Sequence, residues 1–212
     1  MRYLLPDDIA RETAELARRP GCRVTPLGDE PLRRWLQVLQ LGTGRVHVAV
    51  KGNAHADEPA GPVTCLRFAR WLLDDPAGQA LAADVTFHLL PTANPAGLLR
   101  NRGWLVGPEG DLERWFEHVD RDPPAADREF GYGDTPAQAA HPECAAWHGY
   151  LDALPRVDGY VSLHSMAFAG GAWFLTQLDD LARRQPLLTA LARVAADPGP
   201  KMARKTTRSA WA

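Results

Sequence analysis

Cysteine is scarce in this 212-residue chain. Cys22, Cys65 and Cys144 are odd in number, far apart, and form no C-x-x-C pair. That argues against a thiolate metal centre and against a disulfide framework. Long apolar runs are missing as well. No segment approaches the ~20 residues that a membrane helix needs, so a helical membrane protein is excluded. Excess charge of one sign is absent too: 24 Lys and Arg stand against 26 Asp and Glu, a net charge of -2. Nothing in that balance draws the chain to nucleic acid or to an acidic membrane surface. The opening residues, MRYLLPDDIA, carry only a short apolar stretch before Pro6 and two acids, which is not the pattern of a secretory leader. Together these absences predict a soluble, cytoplasmic protein.

What is present is enough apolar sequence, 45% of the chain, for one sizeable core. Asp7 or Asp8 can cap a helix through IARETAELARR, stopped by Pro20 and Gly21. RRWLQVLQLG alternates apolar and polar residues and reads as a strand. RVHVAV, Arg45 to Val50, alternates and is β-branched, a second strand. An apolar helix follows in GPVTCLRFARWLLDD. VTFHLLPTANP is a strand halted by proline, and HPECAAWHGYLDALP a helix with Pro142 in its first turn. GYVSLHS and GAWFLTQ read as strands. DLARRQPLLTALARVAA reads as a helix broken or kinked at Pro186. Gly and Pro concentrate between residues 91 and 136, which predicts long loops over a scaffold. Strands alternating with helices predict a single-domain α/β fold whose mixed, mostly parallel sheet is flanked by helices. Ligands in such folds gather outside the carboxyl ends of the strands.

Three polar groups fall there. In KGNAHADEPAG, His55 and Glu58 sit in a turn directly after the RVHVAV strand, and His164 ends GYVSL. Two imidazoles and a carboxylate suit a zinc centre that keeps a fourth position open. Glu58 at the head of a helix, where a carboxylate favours the helix dipole, and His164 as a core histidine are the plainer alternatives. His47, His88, His118, His141 and His148 lie in strand, loop or helix contexts that do not suggest ligands.

The order HADE, PTANPAG, RNR, DRDPP and LHS resembles the zinc metallocarboxypeptidases related to carboxypeptidase A. Succinylglutamate desuccinylase and aspartoacylase are more distant relatives with a similar ligand pattern. The resemblance spans residues 45 to 175. It implies one zinc per chain held by His55, Glu58 and His164, with zinc-bound water attacking a C-terminal peptide bond or a related amide. Arg102, or failing that Arg100, corresponds to the arginine that polarises the scissile carbonyl. Arg121 corresponds to the one that grips the substrate's terminal carboxylate. Asn94 of the Asn-Pro-x-Gly turn, Asp120 and Ser165 complete the substrate side. Two further activities fit the same pattern, deacylation of N-acyl amino acids and zinc binding without catalysis. The implied partners are therefore peptide or acyl amino acid substrates.

Two departures stand out. Asp120 occupies the position where the family has Asn beside the carboxylate-gripping arginine, and its charge would repel a substrate carboxylate. The family's general base is a glutamate downstream of the last zinc histidine, yet no glutamate follows His164. Asp179, Asp180 and Asp197 are the only carboxylates there. Glu129 and Glu143 lie upstream, and nothing in their local sequence ties them to the metal. The expectation is a carboxypeptidase-like domain over residues 1–200, apparently shortened at its C-terminus, a basic tail over 201–212 without fixed structure, and poor turnover.

Overall fold

The computed structural model describes residues 3–106, 111–129, 141–165 and 181–196. The residues up to Ser165 form one compact unit around a five-stranded sheet. Its strands are β1 (Cys22–Pro26), β2 (Gln37–Leu41), β3 (Val46–Gly52), β4 (Val85–Leu90) and β5 (Gly159–Leu163). They are arranged in the order β1-β2-β4-β3-β5. β4, β3 and β5 run parallel, whereas β1 and β2 are antiparallel to their neighbours. The mixed α/β sheet matches expectation, but it is less parallel than expected, with two of the four pairings antiparallel.

Strand alternation divides two cores. Leu39, Leu41, Val50, Phe87 and Leu89 point to one face. There they meet Ile9 and Leu16 of α1 (Pro6–Leu16) and Cys65, Leu66, Ala69 and Leu72 of α3 (Ala60–Asp74). Val38, Ala49 and Leu90 point to the other, against Trp147 of α8 (Pro142–Asp152). The period of two in each strand is what lets one sheet serve two helix layers.

Several local expectations are corrected. The N-cap position of α1 is Leu5, which makes no side-chain cap bond, and not Asp7 or Asp8. Pro6 takes the first helical position, which moves the start earlier and leaves both acids inside the first turn. Asp8 instead accepts from Leu5 N at 3.3 Å. The first part of the predicted RRWLQVLQLG strand is a helical turn, α2 (Leu32–Trp35), and only Gln37–Leu41 pairs with the sheet. β1 and α4 (Pro76–Asp84) were not anticipated. Asp75 caps α4 by accepting from Ala77 N at 2.8 Å, with Pro76 following. The loop-rich stretch after β4 folds into short helices, α5 (Pro95–Arg100), α6 (Arg102–Leu105) and α7 (Leu112–His118), and a 3-10 turn at Pro124–Ala126.

Beyond Ser165 the described residues form α9 (Leu181–Ala196), a helix that runs on through Pro186. The strand expected over GAWFLTQ, the acids Asp179, Asp180 and Asp197, and the tail 201–212 lie outside the described residues. No helix among the described residues is long and apolar enough to cross a membrane.

Candidate active site

Because β4, β3 and β5 are parallel, their carboxyl ends share one edge of the sheet, and the chain leaving each strand builds the site. The loop after β3 is closed by two glycines in contact. A Cβ on Gly52 would lie 2.6 Å from Pro91 O and 2.8 Å from the carbonyl carbon of Gly61. A Cβ on Gly61 would lie 2.8 Å from Gly52 Cα. Only glycine allows this approach, and it pins the start of α3 against the end of β3. Asn53 turns the chain at φ 53°, a conformation that Asn tolerates better than most residues. Its amide donates to His55 O at 2.8 Å, and its carbonyl accepts from Thr92 Oγ1 at 2.8 Å. The loop is thereby tied to the segment leaving β4, where Ala93 N also donates to Gly52 O at 3.0 Å.

Within this frame His55, Glu58 and His164 converge, with one candidate ligand atom from each lying within 4.8 Å of the others. Glu58 is buried at 3% exposure and its carboxylate is the hub. Oε1 lies 2.9 Å from His55 Nδ1, and Oε2 lies 2.8 Å from His164 Nδ1 and accepts from Ser165 N at 3.1 Å. Burial works against ionisation of Glu58, but the His164 and His55 contacts and the Ser165 N–H outweigh it and hold the carboxyl at about 2. His164 is pushed up to about 9 by Glu129 and then Glu58, against the opposing effect of burial. His55 is raised mainly by its bond to Glu58.

The remote ring nitrogens also face carboxylates. His55 Nε2 lies 3.3 Å from Asp127 Oδ1, and His164 Nε2 lies 3.5 Å from Glu129 Oε2. A histidine that gives Nδ1 to a metal keeps its proton on Nε2, so an acceptor there suits a ligand. Two imidazoles and one carboxylate, each imidazole backed by a second carboxylate, fit a zinc ion by donor type and by outer contacts.

The other predicted residues distribute unevenly. Arg121 reaches this centre: NH1 lies 3.3 Å from Asp57 Oδ2 and NH2 lies 3.5 Å from Glu58 Oε1. Arg100 is held by Asp120 at 3.1 Å and by Asp122. Asp120 thus has its cation in Arg100 and not in Arg121. Arg102 is exposed and makes no ion pair with any described residue. Asn94 is fully buried. It caps α5 by accepting from Gly97 N at 2.9 Å and donates to Asp122 Oδ2 at 2.5 Å, so its side chain is committed to the scaffold. Ser165 enters through its backbone N–H.

Sequence reasoning missed Lys51, Asp57, Asp122, Asp127 and Arg128, and passed over Glu129 as unconnected. Glu129 in fact abuts His164. Arg128 is buried between Asp122 at 2.8 Å and Glu143 at 3.9 Å. The acid-base-acid run Asp127-Arg128-Glu129 was the available signal, and its meaning depends on what folds against it.

Residues 14–210 match the zinc carboxypeptidase family. The chain belongs to that family. It is similar to carboxypeptidase SOL1 of Arabidopsis thaliana, with 42% identity over 50 residues, 22% of this chain and 10% of that protein. Its fold is similar to a metallo-carboxypeptidase of Burkholderia cenocepacia, with TM-score 0.50 and 20% identity, over 74% of this chain and 40% of the other. It is also similar to bovine thrombin-activatable fibrinolysis inhibitor, seen in complex with tick carboxypeptidase inhibitor. That match has TM-score 0.61 and 16% identity, over 91% of this chain and 70% of the other. The chain thus spans 40% of the length of the Burkholderia protein and 10% of SOL1.

Proposed function

We propose that this zinc carboxypeptidase family chain binds one zinc ion through His55, Glu58 and His164, and acts on the C-terminal peptide bond of a substrate with a free carboxylate. The carrying observation is the convergence of both Nδ1 atoms on the buried Glu58 carboxylate. Bound zinc would supply an activated water and a Lewis acid for the scissile carbonyl. Asp127 and Glu129 hold the remote ring nitrogens. Arg121, exposed and adjoining Glu58, offers a planar fork to the substrate carboxylate. Arg102 fits carbonyl polarisation better than Arg100, whose guanidinium is engaged by two aspartates.

No side chain among the described residues takes the role of general base. Glu129 is engaged by Lys51 and Ser162. The test is metal analysis after dialysis, followed by titration with a blocked dipeptide and with an N-acyl amino acid, with and without zinc. One zinc per chain and zinc-dependent dipeptide binding are expected. No zinc uptake would overturn the reading, and preference for the N-acyl amino acid would move the substrate class to N-acyl amino acids and the reaction to their deacylation by water.

A further inference from the structure

Lys51 is a buried cation, 2% exposed, that the site described above leaves without a task. It stands on β3 directly opposite Ser162 on β5. Residues paired in this way project on the same side of a sheet, here the side covered by α8. Both converge on one carboxylate oxygen. Lys51 Nζ lies 3.0 Å from Glu129 Oε2, and Ser162 Oγ donates to the same oxygen at 2.8 Å. The ammonium also donates to Arg128 O at 3.2 Å and Glu129 O at 3.1 Å, so its three protons are all used. Glu129 is thus fixed in both backbone and side chain.

That same Oε2 faces Nε2 of His164 at 3.5 Å, while Nδ1 of the ring faces Glu58 at 2.8 Å. Glu129 therefore stands across the ring from the candidate ligand atoms and not among them. We propose that Glu129, clamped by Lys51 and Ser162, is a positioning residue that accepts the Nε2 proton of His164 and holds Nδ1 of the ring toward the metal position beside Glu58, and so sets the affinity for the metal. The proposal rests on His164 being a metal ligand, as in the function proposed above. Its physical basis is that an acceptor behind a metal-bound imidazole selects the tautomer, orients the ring and raises its basicity. The burial of Lys51 follows from the same arrangement. A second carboxylate this close to Glu58 needs a compensating cation, and a buried charge without its partner is costly.

A merely structural role, tying residues 128–129 to the sheet, would change stability and leave the metal affinity of the folded protein alone. The experiment measures zinc Kd by competition with a chromophoric chelator for wild type, His164→Ala, Glu129→Gln and Ser162→Ala. It is paired with thermal unfolding of the zinc-free forms and 15N NMR of the His164 ring. Glu129→Gln is expected to weaken zinc about 10–100-fold and to shift the Nε2–H signal of the zinc-bound ring. Ser162→Ala should weaken zinc roughly threefold in the same direction. Unchanged Kd and ring signals in folded Glu129→Gln overturn the proposal. If that variant does not fold, unchanged values in Ser162→Ala do so. A wild type without zinc, or His164→Ala with wild-type Kd, overturns the ligand assignment itself. Zinc binding lost in His164→Ala but intact in Glu129→Gln overturns the role of Glu129 alone.

Discussion

Glu58 and His164 meet at 2.8 Å across 106 positions of sequence, and the carboxylate that receives the ring also accepts the backbone N–H of Ser165. This contact joins the loop after β3 to the end of β5, so it serves both the site and the sheet edge. Replacing Glu58 with Gln keeps its shape but removes the charge that both imidazoles face. Zinc content after dialysis is expected to fall from one per chain to near zero in Glu58→Gln and in His164→Ala, read by elemental analysis. Retention of stoichiometric zinc in both would place the metal elsewhere.

Arg121 and Asp120 are adjacent but have different partners. Asp120 is already paired with Arg100 at 3.1 Å, so Asp120→Asn should leave binding of a dipeptide with a free carboxylate within about twofold. It should change stability by less than about 1 kcal/mol, since both groups are well exposed. Arg121→Ala should weaken the same dipeptide about tenfold or more, and Arg121→Lys should recover only part of the loss, because an ammonium cannot make the planar double contact. Calorimetric titration distinguishes the two positions.

Gly97 lies under the loop that carries His55 and Glu58. A Cβ there would sit 2.6 Å from Ala56 Cβ and 2.8 Å from Asn94 Cγ, both in tightly packed surroundings. Gly97→Ala is expected to cost about 1–3 kcal/mol by overpacking and to weaken zinc binding by displacing the loop. Chemical denaturation and the chelator assay together check it. An unchanged midpoint would mean that the loop yields freely.

His88 is a buried histidine remote from the ligands. Its Nε2 lies 3.0 Å from His47 Nδ1 and its Nδ1 lies 2.8 Å from Tyr150 Oη. Burial, reinforced by His47, lowers it to about 4 from the ordinary 6.5. The unfolded chain takes up a proton near pH 6.5 that the folded chain refuses until about 4. Stability present above pH 6.5 is therefore lost as the pH falls toward 4 and then levels off. The expected loss is on the order of 3 kcal/mol at most. In zinc-free protein, Tm should drop across that window in wild type and drop less in His88→Gln. Equal pH dependence in the two would remove His88 as the cause.

Much of this protein was legible in its residues because the signals were local. Alternation marked β3 and the part of RRWLQVLQLG that forms β2, and a proline after a strand marked where β4 stops. The pairing of a histidine and a glutamate three apart in a glycine-bounded turn picked out His55 and Glu58, and a histidine at a strand end picked out His164. The α/β class followed from the order of these elements. β1 and α4 escaped because their signals are short. The helices between residues 95 and 118 escaped because their glycines and prolines read as loop.

Tertiary structure alone decided the surroundings of the site. Lys51 reads as one polar residue at the end of a strand, and becomes a clamp only because β5 places Ser162 opposite it and residues 127–129 fold across both. Asp120 looked like a repulsive charge beside a substrate until Arg100, 20 positions away, was found on it. Asp127 and Glu129 gain their meaning from imidazoles delivered by β3 and β5. Periodicity and turn chemistry act between neighbours in sequence and can be read there. Charge pairing and hydrogen bonding act over a few ångströms in space, and only the parallel arrangement of β4, β3 and β5 brings those partners within reach.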